Sequence, residues 1–106
     1  MNPAERWLRD HLPAAPPRLL DAMIAALPAD ADGVENALAE AAMRLYGAVA
    51  RGSGGREDAL PLLAADALLT HAFQAQAERD PAGLTDLAEW WGGAGRLGQL
   101  AGSVKP

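Results

Sequence analysis

The sequence predicts an all-α fold, a small helical bundle of about four or five short helices, and three observations point to it. Apolar residues recur at the three- and four-residue spacing of amphipathic helices. β-Branched residues are scarce and no polar–apolar alternation persists, so no strand is expected. Prolines and glycines gather between the periodic stretches, where they start, stop or separate helices. The chain of 106 residues fits a single helical domain, 1–106, and shows no internal repeat that would indicate a solenoid.

Asn2 is placed to cap a first helix, with Pro3 at its first position and Glu5 spaced to complete a capping box. Trp7, Leu8, His11 and Leu12 then share a face. Pro13, Pro16 and Pro17 interrupt the ladder, and residues 17–27 restart it with Leu20, Met23, Ile24 and Leu27 on one side until Pro28 ends it. Asp32 and Glu35 repeat the capping-box signature ahead of a third helix running to about Arg51, striped by Val34, Leu38, Ala41, Ala42, Leu45, Tyr46 and Val49.

A glycine-rich loop over 52–57 reads as a flexible connector, after which Asp58 is expected to cap a fourth and longest helix from Ala59 to about Asp80. Pro61 falls in its tolerant first turn and Pro81 closes it. Leu60, Leu63, Ala67, Leu68 and His71 lie along one side and Leu62, Leu69 and Phe73 along another, a breadth that suits a central helix. Asp80 and Pro81 start a fifth helix bearing Leu84, Leu87, Ala88 and Trp91. The segment with Gly92, Gly93, Gly95, Gly98 and Gly102 is assigned helix on the expectation that packing offsets the low propensity of glycine.

Composition narrows the function classes. Hydrophobic residues make up 50% of the chain, but many are alanine, and one Phe, one Tyr and three Trp are its aromatic anchors. A core so thin gains from self-association, so a homodimer or a heteromeric protein partner is expected. The net charge of -5 opposes nucleic-acid binding. No apolar run suggests a membrane span and the first residues lack a signal-peptide pattern, which makes the cytoplasm the expected location. With no cysteine, thiolate chemistry and the usual structural zinc sites are excluded, and no cofactor or metal is implied.

Among individual residues, Asp66 interrupts an apolar helix, where a carboxylate needs water or a bonding partner. His11 and His71 stand outside any metal-binding or nucleophile motif, and His71 is expected at an interface or partly buried. Arg51 and Arg56 flank the glycine loop, yet the Lys-Ser or Lys-Thr of a phosphate-binding P-loop is absent and no strand precedes it. Trp90 and Trp91 are adjacent, so on a helix they point about 100° apart and cannot share one narrow stripe. One of them is a candidate anchor for a partner helix, or for an apolar ligand near Gly92 and Gly95; the alternative is two core residues on neighbouring faces.

Residues 62–73, Leu62-Leu63-Ala64-Ala65-Asp66-Ala67-Leu68-Leu69-Thr70-His71-Ala72-Phe73, resemble the helix of trans-isoprenyl diphosphate synthases that commonly reads L-A-G-D-A-L-L-x-x-A-F. Leu87-Ala88-Glu89 and then Gly92-Gly93-Ala94-Gly95-Arg96-Leu97-Gly98-Gln99 are similar to that family's L-A-E-A-A-G-x-A-G-M-V-G-G-Q block, one glycine short. The resemblance covers residues 59–102 and implies isoprenoid-synthase-like helix packing. The family's D-D-x-x-D motifs, which hold the magnesium that stabilises a departing diphosphate, have no counterpart here: the preceding loop offers only Glu57 and Asp58.

Taken with the resemblance, these features lead to an expectation of a non-catalytic helical interaction protein. It resembles the small or regulatory subunits that assist a larger synthase, and it would self-associate or bind such a partner. The alternative is an isoprenoid or lipid-tail binding module with an apolar channel between the C-terminal helices. Trp90, Trp91, Phe73, Leu69, Asp66, Gly95 and Gln99 are the interface or ligand candidates.

Overall fold

Residues 2–92 are described by a computed structural model, and their regular structure is entirely helical. Helix α1 spans Pro3–His11, α2 Pro17–Ala25, α3 Val34–Ala50, α4 Ala59–Arg79 and α5 Leu84–Gly92, with single 3-10 turns at Arg56–Asp58 and Pro81–Gly83. The all-α bundle is therefore formed. The Gly95 and Gln99 candidates, with the rest of the glycine-bearing C-terminal segment, lie outside the described residues.

The side chain of Asn2 accepts from the Ala4 N–H at 2.7 Å and caps α1. Its amide also donates to the Pro28 carbonyl at 3.2 Å, tying the start of α1 to the turn after α2. The capping box is only half made, because Glu5 turns outward and pairs with Arg9 at 3.0 Å along the helix. Helix α2 stops at Ala25, short of the expected Leu27, since the Ala26 and Leu27 N–H groups bond to Met23 and Ile24 in a tightened last turn.

Gly33, not Asp32, is the N-cap of α3, with φ at 93°. Asp32 contributes its backbone carbonyl, which accepts from the Asn36 side chain at 2.7 Å. Glycine is required at 33 on two counts. Its backbone sits in the left-handed region, and a Cβ there would stand 2.9 Å from Oε1 of Glu35.

Helices α3 and α4 run antiparallel, as their cross-pairs show: Glu35 meets Arg79 near one end and Tyr46 meets Asp66 nearer the other. Both helices bury small residues, Ala37, Ala39, Ala41 and Ala42 on α3 and Ala64, Ala65, Ala72 and Ala75 on α4. Helix α4 is central, packing against α2, α3 and α5. Its faces nevertheless depart from the expectation. Leu68 is wholly buried, whereas Leu62 and Leu63 are 42% and 55% exposed. Close approach of two helices selects alanine at the contact and displaces the larger side chains to the flanks.

The connector over 52–57 is crossed by side-chain hydrogen bonds. Ser53 donates to Glu57, which holds that exposed carboxyl below its usual range, and the Gly54 N–H donates to Asp58 at 2.8 Å. Asp58 thus folds back onto the loop and gives α4 no side-chain cap. At the other end of α4, Asp80 accepts from the Ala82 N–H at 3.2 Å, so the Asp80–Pro81 signal opens a 3-10 turn before α5. Leu87 and Trp91 of α5 complete the core.

Two neighbouring leucines of α4 should respond very differently to truncation. Leu68→Ala should cost about 2–5 kcal/mol in urea unfolding, and Leu63→Ala less than about 1 kcal/mol. Equal losses would contradict the burial of Leu68 and the exposure of Leu63. Gly33→Ala should cost about 1–2 kcal/mol from backbone strain alone.

Candidate functional site

Helices α3, α4 and α5 meet around a polar web. Glu35, in the first turn of α3, is only 4% exposed and its carboxylate receives the Arg79 guanidinium of α4 at 2.7 Å. The same guanidinium reaches Oε1 of Gln76 at 3.4 Å. Gln76 is itself buried and donates to the Asp80 carbonyl at 2.8 Å, which ends α4 on a bonded side chain. A Cβ at Gly83 would land on the Gln76 amide, so the 3-10 turn fits against Gln76 only with glycine there. Across the junction, Trp91 Nε1 donates to Asn36 Oδ1 at 2.9 Å, linking α5 to α3.

Beside this web opens a cleft of about 280 Å³, lined chiefly by Asn36, Arg79, Asp80, Asp86, Leu87 and Trp90. The adjacent indoles divide as their angular offset demands: Trp91 is 8% exposed and Trp90 59%. Their rings meet edge to face with centroids 6.4 Å apart. Asp86 and Trp90 stand one turn apart on α5, and both line the cleft.

The remaining α4 candidates lie elsewhere. Asp66 is exposed and accepts a hydrogen bond from the Tyr46 hydroxyl of α3, a partner-helix contact. Burial first, then the bond to Asp66 and its negative charge, push the Tyr46 phenol up to about 12. Leu69 and Phe73, also interface or ligand candidates, are partly buried and pack against the core. The exposed apolar residues of α4 are instead Leu62 and Leu63.

Sequence spacing did not reveal a third constellation, where α1 crosses α4. His11 stacks on Trp7 with ring centroids 3.8 Å apart and 15° between planes. Its Nδ1 faces the Trp7 carbonyl at 2.9 Å and its Nε2 faces Glu78 of α4 at 3.1 Å. Gln74 extends the chain, donating to Glu78 at 3.3 Å while its Oε1 faces Nδ1 of His71 at 2.8 Å. The two histidines are thereby joined through two α4 side chains, with Trp7 between them. The four-residue separation of Trp7 and His11 was the available signal; nothing local to α1 announces Glu78. Among the described residues no group of three or more His, Cys, Asp or Glu side chains is arranged to hold a metal ion, and no helix is long and apolar enough to cross a membrane.

No protein family, curated protein or solved structure matches the chain.

Tyr46 supplies a pH signature. Its folded pKa of about 12 lies above the ordinary phenol value of 10.0, so between those limits the unfolded chain has released a proton that the folded chain keeps. Stability from this group is complete below pH 10.0 and is lost as pH rises toward 12. Phenolate absorbance should titrate late in the native protein and earlier in Asp66→Asn; a native midpoint at the ordinary phenol value would contradict the Tyr46–Asp66 contact. Separately, Arg79→Ala should destabilise by about 1–3 kcal/mol by leaving the Glu35 carboxylate without its cation.

Proposed function

We propose that this chain is a non-catalytic helical interaction protein that self-associates and docks against other proteins. The observation that carries this is the exposure of Leu62, Leu63 and Trp90 among the chain's large apolar side chains. Leaving three of them in water is costly for so thin a core, and covering them is favourable at about 25 cal/mol per Å². They form two surfaces. Leu62 and Leu63 open α4, while Trp90 stands beside its far end, about 24 Å away at 1.5 Å per residue. The leucine end is assigned to a second copy of the chain.

The likeness of residues 59–102 to trans-isoprenyl diphosphate synthases supports the same reading, since small subunits of that kind work by association. The Trp90 cleft gives less support to an isoprenoid tail, because Asn36, Arg79, Asp80 and Asp86 supply polar walls.

Sedimentation equilibrium at micromolar concentration should give a mass above that of one chain, falling to one chain in the Leu62→Glu/Leu63→Glu double variant. A clean monomer that binds no apolar dye would refute the proposal.

A further inference from the structure

Resting on the self-association reading, we propose that two copies pair antiparallel through the first turns of α4, about an axis beside Leu62 and Leu63, with Arg56 of each copy bonded to the partner's Asp66.

The charges around the leucines say what covers them. A symmetric interface sets one patch against an identical patch, so a patch that pairs with itself must carry both signs of charge on opposite sides of its centre. Arg56, in the 3-10 turn ahead of α4, and Asp66, further along α4, flank Leu62 and Leu63 in this way, and both are exposed. Arg56 makes no ion pair or side-chain hydrogen bond among the described residues. Asp66 has no cation there either; it accepts from the Tyr46 hydroxyl, and a carboxylate keeps further accepting sites after one such bond. Within one copy the two stand roughly 15 Å apart along the helix, more than their side chains span.

Antiparallel pairing closes that gap. With the axis between residues 62 and 63, Asp66 of one copy is level with the partner's Ala59, a small exposed residue that permits close approach. The partner's Arg56 then lies about 5 Å further along, within reach of a guanidinium. Glu57 and Asp58 are engaged by Ser53 and the Gly54 N–H, on the loop side. Arg51, the C-cap of α3, brings a second unpaired cation to the same end, where Gly52 lies against Asp58. Only about two turns of each α4 overlap, less than a standard interface provides, so the dimer is weak and leans on its two ion pairs.

Sedimentation equilibrium of the full chain reads the dimer constant. Asp66→Arg and Arg56→Asp should each weaken dimerisation roughly five- to fiftyfold, because each sets two like-charge contacts across the axis. An equimolar mixture of these two variants should associate about as tightly as the original chain, since every contact between unlike copies then joins an arginine to an aspartate. The double variant Arg56→Asp/Asp66→Arg should recover in the same way. Arg18→Asp, an equal charge change on α2, should leave the constant within about twofold. A second measurement does not depend on reversing Asp66. The chain has no cysteine, so Leu63→Cys, beside the axis, should oxidise rapidly to a covalent dimer, and Ala77→Cys, exposed near the far end of α4, should not. A dimer that neither reversal weakens, or equal cross-linking at both positions, overturns this pairing and leaves self-association standing. Weakening without recovery in the mixture, in variants whose far-UV circular dichroism is unchanged, also overturns it. A chain that stays monomeric before any substitution removes the self-association reading and this pairing with it.

Discussion

Close packing of α3 on α4 is the constraint from which the rest of the structure follows. Two helices meeting through alanines come near each other and gain many dispersion contacts, but each alanine removes little apolar area from water. The molecule compensates by placing one large, wholly buried side chain from each of its first four helices around that seam: Leu8, Met23, Leu38 and Leu68. Leu87 and Trp91 of α5 close the core. Many other large apolar residues pack part-buried around that core, whereas Leu62 and Leu63 come to the surface.

A seam made of similar small residues specifies register poorly, because sliding one alanine face along another changes little. Polar pairs supply what is missing. Glu35 with Arg79, near one end, and Tyr46 with Asp66, further along, admit a single alignment of the two helices. A carboxylate as buried as Glu35 is unfavourable by itself. The guanidinium at 2.7 Å and the position of Glu35 in the first turn of α3, where the helix dipole is positive, offset that penalty. Gln76 and the Trp91–Asn36 bond carry the same network to α5. The network therefore shapes the cleft beside Trp90 and holds it on rigid elements.

This arrangement separates two surfaces of unlike chemistry. The end that opens α4 presents adjacent leucines, while the α5 end presents one indole among carboxylates. The first suits non-directional burial.

The sequence by itself determined the helical class, the order of the helices, the Asn2 cap and the divergent directions of Trp90 and Trp91. All of these follow from local spacing, proline placement and the angular step of a helix. It also marked Asp66 as needing a partner or water. Tertiary structure decided which candidates face outward, because exposure depends on the neighbouring helix. Leucines that matched an apolar stripe were displaced by alanine packing, and Leu69 and Phe73 were drawn to the core flank. Asp32 and Asp58 had capping signatures that a left-handed Gly33 and a bonded loop superseded. The Glu35–Arg79 pair and the His11–Glu78–Gln74–His71 chain join residues far apart in sequence, and a contact across such distances has no local pattern from which it can be read.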